Sequence, residues 1–185
     1  ISGSYDDTAR VWEAASGQEV ARMICDDVVY TVAFSPDGKY VISGSADGTA
    51  RVWEAQTGHE IARMTHEGYV RDVAFSPDGK YVVSGGCDKR DENFNCIEGT
   101  VRVWESQTGH EIARMTHSDE ISAVAFSPDG KYVVSGSWDN TARVWEAQTG
   151  REVARTTHEG YVRDVAFSPD GKYVVSGSSD FTARV

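Results

Sequence analysis

The chain has 185 residues and is 39% hydrophobic, enough apolar side chain for a sizeable core. Its 18 Lys and Arg face 29 Asp and Glu, a formal net charge of -11 that repels phosphate backbones and anionic lipid, so neither nucleic acid nor a membrane is expected as a partner. No apolar run approaches membrane-spanning length, and three cysteines (Cys25, Cys87 and Cys96) are too few and too odd in number for a disulfide framework, so a reducing cytoplasm is the expected compartment.

Ile1-Ser2-Gly3-Ser4 matches Ile42-Ser43-Gly44-Ser45, so the chain opens late in one repeat. The first whole unit starts at residue 28. Residues 28–34 and 39–45, rich in Val, Ile and Tyr, are predicted strands joined by a turn at Ser35-Pro36-Asp37-Gly38. Residues 49–54 and 60–64 are predicted as third and fourth strands, after turns at Ala46-Asp47-Gly48 and Gln56-Thr57-Gly58. The stretch Phe34-Ser35-Pro36-Asp37-Gly38-Lys39-Tyr40 returns unchanged at 75–81, 126–132 and 167–173. Trp12, Trp53, Trp104 and Trp145 are spaced 41, 51 and 41 residues apart, and so are Pro36, Pro77, Pro128 and Pro169. The period is therefore 41 residues, with one insertion of 10 at 89–98.

The expected fold is all-β: small four-stranded antiparallel sheets, with Gly or Pro too frequent for a helix. Strict alternation places Val73 and Phe75 on one face of a sheet and Val70 and Ala74 on the other. A sheet apolar on both faces must stack against others. The divisions are a closing half unit at 1–27, whole units at 28–68, 69–119 (with the insertion) and 120–160, and an opening half unit at 161–185.

These residues resemble the WD-repeat β-propeller family, whose unit runs Gly-His, V-x-x-V-A-F-S-P-D-G, S-G-S-x-D-x-T and Trp-Asp. The match recurs in register over the whole chain outside the insertion, and the near-identity of the copies resembles recently amplified arrays. Here Trp is followed by Glu, and Thr65, Thr116 and Thr157 stand where the family has Gly. The resemblance implies a structural network of His, Ser, Asp and Trp in each blade. The matching residues are His117, Ser135, Asp139 and Trp145; His66, Ser84 and Trp104, with Asp88 aligned from the left of the insertion and Glu98 from the right; and Ser43, Asp47 and Trp53, with Cys25 in place of His. His158, Ser176 and Asp180 form one side of a split blade, with only Trp12 at the other chain end to complete it. Residues 1–11 and 175–185 compete for one strand position. The expectation is a homodimer, two chains head to tail, closing eight blades.

Three columns differ between repeats: Val28, Tyr69, Glu120, Tyr161; then Tyr30, Arg71, Ser122, Arg163; then Tyr5, Ala46, Cys87, Trp138, Ser179. All flank the network, on the rim that the family uses, as its top face, to bind proteins. Aromatic and arginine residues there are types enriched at hot spots. The insertion is read as a loop extending the second turn on that rim, with Phe94 as its aromatic contact; Cys87 and Cys96, which bracket it, are expected to stay reduced.

The five histidines are explained by the network (His66, His117, His158) and by a turn (His59, His110), so no metal or other cofactor is expected. A Ser and Asp copied around a ring do not make a singular catalytic constellation. The favoured reading is a non-catalytic scaffold binding protein partners through the rim. Its rivals are a hydrolytic or ligand-binding propeller using the central channel, which needs a singular acidic cluster where the sequence has only the repeated Asp72 and Asp164, and a purely structural oligomer.

Overall fold

The computed structural model describes all residues from Ile1 to Val185, and it contains only strands and turns. The first sheet is β1 (Ser2–Gly3), β2 (Thr8–Trp12) and β3 (Glu19–Ile24). Three four-stranded sheets follow: β4 (Val29–Phe34), β5 (Tyr40–Ser45), β6 (Thr49–Glu54) and β7 (Glu60–Thr65); β8 (Val70–Phe75), β9 (Tyr81–Arg90), β10 (Cys96–Glu105) and β11 (Glu111–His117); β12 (Ile121–Phe126), β13 (Tyr132–Ser137), β14 (Thr141–Glu146) and β15 (Glu152–Thr157). The last sheet is β16 (Val162–Phe167), β17 (Val174–Ser178) and β18 (Ala183–Arg184). Strands pair antiparallel with their chain neighbours throughout, as in the blades of a propeller.

The constant heptapeptide builds the first hairpin of each blade. Pro36 fixes its own φ, and Gly38 takes a φ of 71°, where a side chain would be strained. The Ser35 hydroxyl donates to Asp37 Oδ1 at 2.7 Å and accepts the Tyr40 N–H at 2.9 Å. The same clasp recurs at Ser76, Ser127 and Ser168.

The apolar cores lie between sheets. Ala9, Val11, Ala21 and Met23 of the first sheet meet Val29, Val41 and Trp53 of the second; Ile42, Val52 and Met64 meet Val70, Val82 and Trp104; Val83, Val101 and Met115 meet Ile121, Val133 and Trp145. Each of these interfaces is closed by a tryptophan from the following sheet. The fourth unites Val134 and Ala142 with Val162 and Val165, and a cleft of about 410 Å³ runs beside it, lined by Val144, Ala154, Phe167 and Val174 among others.

Three sequence readings are corrected. Val70 lies on the same face as Val73 and Phe75, because β8 carries a bulge: Val70 pairs with Gly86 and Asp72 with Gly85, so Arg71 is an extra residue that breaks the alternation. The insertion is not a loop. Both β9 and β10 lengthen to 10 residues and meet at a tight turn, where Asp91 Oδ1 accepts the N–H groups of Asn93 and Asn95. Cys87 and Cys96, at the base of this hairpin, have Cα atoms 5.8 Å apart and form a disulfide, whereas Cys25 is free and buried. The lengthened hairpin also explains Gly86, where the other copies have Ser45, Ser137 and Ser178: a Cβ at 86 would lie 1.9 Å from the Tyr69 carbonyl oxygen.

Candidate functional site

The buried network is geometrically complete in two blades. The Trp104 indole N–H can only donate, so it gives its proton to Ser84 Oγ at 2.8 Å. Ser84 in turn donates to His66 Nε2 at 2.7 Å, and His66 Nδ1–H donates to Asp88 Oδ1 at 3.1 Å. Trp145, Ser135, His117 and Asp139 repeat the chain, each contact at 2.8 Å. Burial pushes both imidazoles below their ordinary pKa, consistent with neutral rings. Burial presses the other way on Asp88 and Asp139, yet the histidine, the adjacent threonine and the arginine hold both carboxyls well below the usual range. Asp88 is the acid that reaches His66; Glu98 instead pairs with Lys89 on the surface at 2.9 Å.

Two participants escaped the sequence reading. Thr100 Oγ1 donates to Asp88 at 2.8 Å, and the buried Arg102 pairs with Asp88 while its guanidinium lies 5.8 Å over the Trp104 ring. Thr141 and Arg143, and Thr49 and Arg51, do the same in their blades. The signal was Thr-Ala-Arg-Val-Trp (Thr-Val-Arg-Val-Trp in one copy), which ends in Trp12, Trp53, Trp104 and Trp145.

Where Cys25 replaces His, its thiol sits 3.8 Å from Ser43 Oγ, and Trp53 still donates to Ser43 at 2.9 Å. Asp47, without a histidine, takes the Asp26 N–H at 3.0 Å and Arg51 at 2.6 Å, and Asp26 reaches Arg51 at 2.5 Å. At the ends, His158 meets Ser176 at 2.8 Å and Asp180 at 3.2 Å, while Trp12 donates to Ser2 of its own sheet at 2.9 Å. Trp12 is 39% exposed against 4–5% for Trp53, Trp104 and Trp145. The first and last sheets, of three strands each, are not joined.

The variable columns lie at the network end of the sheets. Backbone bonds from Ala46 to Val28, Cys87 to Tyr69, Trp138 to Glu120 and Ser179 to Tyr161 (2.8–3.3 Å) extend the pairing of the first two strands of each sheet by one step and set the first and third columns side by side. Their side chains then meet across blade boundaries. Tyr30 abuts Tyr69 edge-on at 6.0 Å, and Trp138 stacks on Tyr161 at 5.3 Å with 17° between the planes. Arg71 lies 5.3 Å over Tyr30, Arg163 lies 5.6 Å over Trp138 and 5.7 Å over Tyr161, and Arg90 of the lengthened hairpin lies 4.5 Å over Tyr69. Burial, with the Glu120 carboxylate second, pushes the Tyr69 hydroxyl above its ordinary pKa. Glu120 is buried, and Ser122 donates to the Val162 carbonyl at 2.7 Å. Val28 shares in none of these stacks. Tyr5 and Phe94 are also outside them, 83% and 79% exposed, Phe94 at the hairpin tip. Arg90 was missed because nothing in the sequence shows that the hairpin folds back over Tyr69.

Asp72 is already engaged: Thr31 donates to Oδ1 at 3.2 Å and the Val124 N–H to Oδ2 at 2.8 Å, tying three blades together. The network histidines likewise have both ring nitrogens engaged, each set within its own blade.

The family described as WD domain, G-beta repeat, matches residues 18–54, 58–105, 109–146 and 151–185. Among solved structures, the computationally designed Ika8 protein is similar at 33% identity and a TM-score of 0.82, over 98% of this chain and 52% of that one. A segment of 40 residues is 42% identical to the Periodic tryptophan protein 2 homolog of Neurospora crassa, covering 21% of this chain and 4% of that protein. Another of 43 residues is 35% identical to Telomerase protein component 1 of Mus musculus, covering 23% and 2%. The chain thus spans about half the length of the designed protein and a few per cent of the curated relatives it matches.

Proposed function

We propose that this chain, which belongs to the WD-repeat family, is a non-catalytic recognition module that binds protein partners through the rim formed by its variable columns. WD repeats generally serve protein–protein interaction, which gives the class of function; the rim is the specific reading. One observation carries it: the positions that differ between otherwise near-identical repeats converge across blade boundaries into two aromatic–arginine stacks, Tyr30–Tyr69–Arg71, joined by Arg90 of the lengthened hairpin, and Trp138–Tyr161–Arg163. Drift at unconstrained surface positions has no reason to assemble interlocking side chains from different blades. Rigid aromatics and arginines pre-ordered by stacking lose little entropy on binding.

Selection from a displayed random-peptide library tests this. Enriched peptides should lose binding to the Trp138→Ala and Arg71→Ala variants; peptides that bind the parent and both variants equally would contradict the rim.

Self-association through the end sheets is the second part of the proposal. It is supported by the exposure of Trp12 at one end and by Tyr173, Val175 and the apolar cleft at the other. Light scattering should give about twice the chain mass of 20.2 kDa; a folded species of the chain mass would remove this part and leave the rim untouched.

A further inference from the structure

The chain contains a second set of arginines stacked on aromatic rings, and that set shows what such an arginine takes at its edge. Arg10, Arg51, Arg102 and Arg143 lie 5.8–6.0 Å over Trp12, Trp53, Trp104 and Trp145. In every case the guanidinium edge is filled by a carboxylate four residues earlier in the blade's second turn or, across the insertion, by Asp88: Asp6, Asp47, Asp88 and Asp139. Rim arginines lie somewhat closer to their rings, at 4.5–5.7 Å, and have a different edge. Arg163 makes no ion pair and gives one hydrogen bond, to the Ser179 hydroxyl at 2.7 Å. Arg71 has only a long ion pair, to the buried Glu120 at 3.9 Å, beyond hydrogen-bond length.

The geometry points to an acidic peptide segment as the partner of this rim, its carboxylates pairing with the edges of Arg163 and Arg71. Stacking holds each guanidinium plane in place and strips water from one face, which favours planar, two-pronged pairing with a carboxylate. Nucleic acid fits less well. Its bases need free aromatic faces, but Trp138 and Tyr161 already face each other under Arg163, and Tyr30 lies under Arg71. The net charge of -11 also opposes a long polyanion, whereas a short segment docks within the local field of the arginines. Across the rim, Arg71 and Arg163 stand on β8 and β16, the strands that pack on either side of β12.

This inference rests on the rim reading and specifies its partner. The probe is a fluorescein-labelled decapeptide alternating Glu and Ser, compared by anisotropy with its Gln-for-Glu version and with a thymidine decanucleotide. The Glu peptide should bind, weaken with added salt, and weaken about tenfold or more in the Arg163→Ala and Arg71→Ala variants. Arg163→Lys should recover only part of the loss, since it keeps the charge without the planar fork. Both arginines are exposed, so circular dichroism should stay that of the parent. No binding of the Glu peptide, equal binding of the Gln version, tighter binding of the oligonucleotide, or unchanged affinity in Arg163→Ala would each overturn the inference. The library selection separates the two failures: rim-dependent peptides without acidic residues overturn the acidic partner alone, whereas the absence of rim-dependent peptides overturns both.

Discussion

Arg102 over Trp104 and Arg163 over Trp138 are the same contact in two places, at 5.8 and 5.6 Å, and they do different work. Arg102 is buried, and its edge is closed by Asp88, whose other contacts run through His66 and Ser84 back to the same tryptophan. Arg163 is exposed, and its edge carries the Ser179 hydroxyl but no carboxylate. Interaction type alone does not separate framework from recognition; what separates them is whether the chain supplies the last partner itself.

The sharpest break in that comparison is expected from the tryptophans. Trp104→Ala removes a buried ring and strands the Ser84–His66 pair, at a cost of about 3 to 5 kcal/mol in urea unfolding. Trp138→Ala, at a half-buried position, should cost roughly 1 kcal/mol or less. Equal losses would put Trp138 in the framework. Nearly as large is the carboxylate test: Asp88→Ala leaves the buried Arg102 with only the half-buried Glu111 at 3.4 Å and should cost about 3 kcal/mol, against about 0.5 kcal/mol or less for Arg163→Ala.

Acid should sharpen the contrast. Folded His66 and His117 have lowered pKa values, so the unfolded chain takes up their protons first, near the ordinary value of about 6.5. Stability should therefore begin to fall below that pH and fall again below about 4, as the unfolded chain protonates the equivalents of Asp88 and Asp139. A midpoint flat from pH 7 to 5 would contradict neutral buried histidines. The smallest effect is expected at Cys25. Cys25→His should restore the Ser43–Asp47 link and raise stability by about 1 kcal/mol; a loss would mean that Asp26 and Arg51 have already closed that blade around the smaller side chain.

Much of the framework could be read from the sequence because it is repeated: the period of 41 and the Ser-Pro-Asp-Gly hairpins are local, and each is dictated by a few residues. What could not be read depends on a break in the local rule or on distance. The bulge at Arg71 adds one residue and turns Val70 to the face that alternation denies it. Arginine in the middle of a strand reads as solvent-facing, so the burial of Arg51 and Arg102 was not foreseen. The charge of residues 89–98, with Phe94 as their one aromatic, reads as a loop, and the Cys87–Cys96 bond is evident only once both strands meet at the base of the hairpin. In the rim, the columns identified the variable residues but not their stacking, since Trp138 and Tyr161 belong to different blades.

The central claim is that the rim recognises while the network folds. Its most direct test is calorimetric titration of a library-selected peptide into the parent and Trp138→Ala, with urea midpoints measured on the same samples. The predicted result is an affinity at least about tenfold weaker with a nearly unchanged midpoint; unchanged affinity, or affinity lost only in step with stability, would contradict it.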